Sequence, residues 1–70
     1  MNIEMLRFIV ELAGNGWSAD ADAFFEHYPK TSATLNELKA LERRKLIRVN
    51  EASGRYFDIA INQNTKNSVK

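Results

Sequence analysis

The chain has 70 residues, no cysteine, a hydrophobic fraction of 44% and a formal net charge of +1. That length allows one domain, which buries only ~60% of the surface its unfolded form exposes. Without cysteine there is no disulfide or thiolate metal site to staple it, and no apolar run approaches the ~20 residues of a membrane-spanning helix.

Charge is unevenly distributed along the chain. Met1 to Pro29 carries one base, Arg7, against Glu4, Glu11, Asp20, Asp22 and Glu26, a local charge of −4. Lys30 to Arg55 carries seven bases against Glu37, Glu42 and Glu51, a local charge of +4. A basic half of this kind suits an anionic partner, although uneven partition of solvated charge gives the same pattern. No signal region opens the chain, so a cytoplasmic location without membrane association is the expectation.

Asn2 is placed to cap a first helix that Gly14-Asn15-Gly16 ends near Ala13. Ile3, Leu6, Ile9, Val10 and Ala13 share one face at helical spacing. Met5, Phe8 and Leu12 form a second apolar stripe, wider than a core-facing helix needs. Two explanations stand: the stripe is covered within the fold by the hairpin and tail, or Met5, Phe8 and Leu12 make a homodimer contact.

A short extended segment fits at Trp17. Ser18 or Asp20 then caps a second helix reaching about Tyr28, with Asp20 and Asp22 favourable at its positive end. Ala21, Phe24, Phe25 and Tyr28 follow i, i+3, i+4, i+7 spacing and form a core stripe, and Pro29 stops the helix. Thr31 or Ser32 caps a third helix extending to about Lys45. Thr34, Leu35, Leu38, Leu41 and the stem of Glu42 cluster on one side of it, while Ala33, Asn36, Ala40, Arg43 and Arg44 lie on the other.

After this helix the period changes from 3.6 to 2. Ile47 and Val49 alternate with Arg48, and Phe57, Ile59 and Ile61 alternate with Tyr56, Asp58 and Ala60, around turn formers from Asn50 to Arg55. A hairpin with one apolar face is expected, which places the domain at residues 1–62. Residues 63–70 hold a single apolar side chain and are expected to be disordered.

Enzymatic chemistry finds little support, and no cofactor is expected. His27 is the only histidine. Asp22 and Glu26 share a helix face, but His27 is turned about 100° from Glu26, which argues against a metal site. Gly14-Asn15-Gly16 follows no strand and is too short for a phosphate loop.

Nucleic-acid binding has a distributed signal. Ser32, Thr34 and Asn36 lie near the start of the third helix, where a recognition helix meets base edges. Asparagine bonds adenine bidentately, and hydroxyls serve bases or phosphates. Lys39, Arg43, Arg44, Arg48 and Arg55 are candidates for flanking backbone contacts. Thr31 and Ser32 are equally explained as helix caps, and Arg43-Arg44 as a solvated helix end.

The segment LERRKLIRVNEASGRYFDIAIN resembles the end of the recognition helix and the wing of winged helix-turn-helix regulators of the multiple-antibiotic-resistance (MarR) type. Leu41-Glu42-Arg43-Arg44 and Leu46-Ile47 follow the helix exit of that type, and Ser53-Gly54-Arg55 falls at the wing tip. The resemblance implies an α+β fold, a three-helix bundle with a C-terminal β-hairpin wing. It also implies a third helix in the major groove of duplex DNA, with Arg55 at a minor groove or phosphate. Lys45 stands where that type commonly has glycine, and the long dimerisation helices have no counterpart in these residues. A DNA-binding module, serving as a transcriptional regulator or accessory factor, is therefore the expectation. A winged helix that docks a protein partner is the alternative.

Overall fold

The computed structural model describes residues Met1–Lys70 as α1 (Ile3–Ala13), β1 (Ser18–Asp20), α2 (Ala21–His27), α3 (Ser32–Arg43), β2 (Ile47–Ala52), β3 (Arg55–Ile61) and α4 (Gln63–Ser68). The domain is α+β, with four helices and one antiparallel sheet in the order β1-β3-β2. No helix is long and apolar enough to cross a membrane.

Each long helix begins at a side-chain cap that satisfies an otherwise orphaned N–H. Asn2 accepts from Met5 N–H at 3.0 Å, Asp20 from Ala23 N–H at 3.0 Å, and Thr31 from Thr34 N–H at 3.3 Å. The ends are equally local in origin. Gly14 takes φ 58° as α1 stops, and Pro29 follows the end of α2. α3 stops at Arg43, short of the expected Lys45, because Lys45 itself takes φ 61° and turns the chain out of the helix.

Phe24, Leu6, Ile9, Leu41 and Ala19 are fully buried, and Met5, Leu38, Ile47, Ile59 and Ile61 complete the core. Burial of one such large side chain stabilises the fold by about 1.5–3 kcal/mol. The helices cover the sheet face carrying Ala19, Ile47, Ile59 and Ile61. Met5 is 2% exposed, so it belongs to the core and is not available for the dimer contact that was the alternative explanation of its stripe. The rest of the wide apolar surface of α1 is also largely used internally. Phe8 stacks on His27 with ring centres 4.4 Å apart and meets Tyr28 edge-on at 5.6 Å. Leu12 is half-buried against the core, and α4 packs on α1 and brings Val69 to the same cluster.

Three features depart from expectation. β1 joins the hairpin as a third strand, pairing Ala19 with Ile59, and Ile61 N–H donates to the Trp17 carbonyl at 2.8 Å. In place of an irregular tail the structure has α4 at Gln63–Ser68, where Asn62 and Thr65 form a reciprocal capping box and Thr65 is fully buried. The third departure is one of register. Asn50 pairs with Asp58 but Glu51 pairs with Tyr56, so Phe57 is an extra residue in β3. This β-bulge reverses the expected alternation beyond it. Phe57 is 50% exposed, whereas Tyr56 turns inward to meet Phe25 edge-on at 5.5 Å.

The hairpin closes through two residues, Ser53 at φ 52° and Gly54 at φ 79°. Two successive positive φ values characterise a type I′ turn, whose twist matches that of the flanking strands.

Candidate nucleic-acid interface

Burial fixes the rotation of α3. Thr34, Leu38 and Leu41 face the core. At 3.6 residues per turn, Ser32, Asn36, Lys39 and Arg43 fall within about 60° of one another on the opposite side. All four are exposed. They form a stripe about 17 Å long, at 1.5 Å rise per residue, running from the helix N-terminus to its last residue.

No carboxylate interrupts this stripe. Glu37 is half-buried on one flank, turned more than a quarter-turn away. Glu42 is turned toward the hairpin, where its Oε2 accepts from Val49 N–H at 3.0 Å. That bond ties the last turn of α3 to the outer edge of β2. Between the stripe and Glu37 the flank away from the hairpin carries only Ala33 and Ala40, so a broad partner can approach the helix closely on that side.

The candidate residues do not all share one surface. Ser32, Asn36, Lys39 and Arg43 are brought together on the stripe, whereas Arg44 is exposed at the C-cap and turned about 100° from Arg43, toward the flank of Glu37. Arg55 is exposed at the hairpin turn, its guanidinium 5.7 Å from the Phe57 ring centre. Arg48 lies on the sheet face turned away from the helices, opposite Ala60 and next in alternation to Asn50, whose amide bonds Asp58. Thr34 lies on the core side of α3, away from the stripe. It is 7% exposed, and its backbone N–H and hydroxyl are both engaged by Thr31, because its angular position is that of Leu38 and Leu41.

Two elements of this surface escaped sequence reasoning. Lys45 is exposed and adds a third cation directly after Arg43-Arg44; the run of three bases was its signal. The second is a groove of about 120 Å³ between α3 and the hairpin, lined by Leu35, Leu38, Lys39, Glu42, Val49, Glu51 and Tyr56. It depends on the bulge that turns Tyr56 inward, which no residue type in the segment announces. The Tyr56 phenol is held above its ordinary pKa, first by loss of solvent and then by the neighbouring Glu51 carboxylate. On its other side, the Lys30 ammonium lies 4.4 Å from the Tyr56 ring centre.

Comparison with protein-family models, with curated proteins and with solved structures returns no match for this chain.

Proposed function

We propose that the chain is a small winged-helix protein that binds duplex DNA by laying α3 in the major groove, as a transcriptional regulator or accessory factor. The observation that carries this reading is the stripe of Ser32, Asn36, Lys39 and Arg43, exposed along one side of α3 with both helix carboxylates turned aside. The order helix, strand, two helices and hairpin supports it, as does the short turn between α2 and α3. In this reading Asn36 meets a base edge, and Lys39, Arg43 and Arg44 meet flanking phosphates. Arg55 reaches the backbone or minor groove beside the hairpin tip.

Amide chemical shifts of the full chain, followed as a mixed-sequence duplex is added at low salt, test the placement. Shifts are expected from Ser32 to Lys45 and around Gly54-Arg55. Shifts confined to the acidic surfaces of α1 and α2 would reject it.

A second reading, docking of a protein partner, is favoured by the exposed aromatics Trp17 and Phe57, 51% and 50% accessible. It predicts complexes that tolerate salt, since apolar contacts are not screened.

A further inference from the structure

The groove between α3 and the hairpin is a consequence of the β3 bulge. In an unbroken ladder Tyr56 would share the outward face with Asp58. The extra residue at Phe57 turns Tyr56 toward the helix side of the sheet, the side that its partner Glu51 already shares with Ile47 and Val49 by alternation. Bulges often re-aim side chains beside functional sites. Here the bulge produces a recess of about 120 Å³, where Leu35, Leu38 and Val49 supply an apolar floor and Tyr56 a wall. The recess is smaller than the ~150 Å³ apolar cavity that encloses benzene but is open on one side, so it seats part of a small ring or a branched aliphatic group with the rest in solvent.

Its polar groups are unequal in sign. Glu42 and Glu51 line it, against the single ammonium of Lys39. Lys30 sits over the Tyr56 ring and is not among the lining residues. Glu42 commits Oε2 to Val49 N–H, and its other oxygen has no donor within the chain.

We infer that this groove is a binding site for a small organic ammonium ion with a compact apolar body. The body rests on Leu35, Leu38 and Val49, and the charged nitrogen sits between the Glu42 and Glu51 carboxylates. An anionic ligand of the same shape is disfavoured, because it would bring a third negative charge to two carboxylates. Lys39 lines the groove and also stands in the exposed stripe of α3, so an occupant would alter the setting of one of the cations proposed to meet DNA. The site itself does not depend on that proposal, since binding is measured on the free protein.

The test is a titration of the isotopically labelled full chain with benzylamine at neutral pH, and with benzoate as the probe of opposite charge. Saturable shifts at Leu35, Val49, Glu51 and Tyr56 amides are expected with benzylamine, and clearly weaker ones with benzoate. Glu51 is exposed, so Glu51→Gln leaves the fold intact; it is expected to weaken benzylamine binding about two- to fivefold, the range for one exposed ion pair. Absence of saturable shifts, equal response to benzoate, a response centred elsewhere, or unchanged affinity in Glu51→Gln would each overturn the inference.

Discussion

The side-chain amide of Asn62 donates to the backbone carbonyl of Lys45 at 3.1 Å, across seventeen positions of the chain. The bond meets the chain where Lys45 takes φ 61°, in the left-handed region, as it leaves α3. A turn of the chain further on, the Thr65 hydroxyl donates to the Leu46 carbonyl and accepts from Asn62 N–H at 3.1 Å. The C-terminal residues therefore hold the exit of the helix that carries the candidate interface, and fix its direction against the sheet.

Thr65→Val keeps the shape of the side chain while leaving the Leu46 carbonyl and Asn62 N–H without partners. Loss of partners at a buried site costs about 1–3 kcal/mol. Urea unfolding is expected to show a lowered midpoint with an unchanged slope. A midpoint equal to that of the parent would mean that the C-terminal helix contributes nothing to this link.

Lys45→Gly acts in the other direction. A left-handed backbone costs a side-chain-bearing residue roughly 1–2 kcal/mol, part of which is offset by the greater freedom glycine has when unfolded. A net gain of about 0.5–1 kcal/mol is expected in thermal or urea unfolding. Destabilisation would show that the lysine side chain has contacts whose loss outweighs the strain.

Leu38→Ala removes a side chain that is 2% exposed at the centre of α3. A core leucine truncation costs about 2–5 kcal/mol. In a domain whose whole stability is of order 5–15 kcal/mol, a large fall in thermal midpoint or loss of cooperative folding is expected. An unchanged midpoint would contradict the rotation assigned to α3, and with it the stripe on the opposite side.

Local chemistry made much of this fold legible in sequence. Asn2, Asp20 and Thr31 are short polar side chains at helix starts, and each caps as its type suggests. The apolar spacing through α2 and α3 placed Phe24, Leu38 and Leu41 in the core because a 3.6-residue period is a property of the segment alone. The departures are tertiary in origin. α4 has one apolar neighbour in Val69 and is held by hydrogen bonds to Lys45 and Leu46, which composition does not reveal. The bulge at Phe57 trades one regular step of the ladder for contact between Tyr56 and Phe25, a choice made across the domain. On α3, Asn36 and Arg43 lie on the exposed side, whereas Thr34, whose hydroxyl chemistry suited DNA, has a position on the helix that suits the core.

Binding of a mixed-sequence duplex, titrated at several salt concentrations, tests the proposed function most directly. Each neutralised phosphate releases condensed counterions and contributes about −0.9 to the log–log slope, so Lys39, Arg43, Arg44 and Arg55 together predict a slope of roughly −3 to −4. Arg43→Ala is expected to reduce its magnitude by about one and to weaken all sequences alike, whereas Asn36→Ala should leave the slope and relax preference at one base position. No binding at low salt, or binding with no dependence on salt, would contradict the DNA reading and leave the protein-docking one.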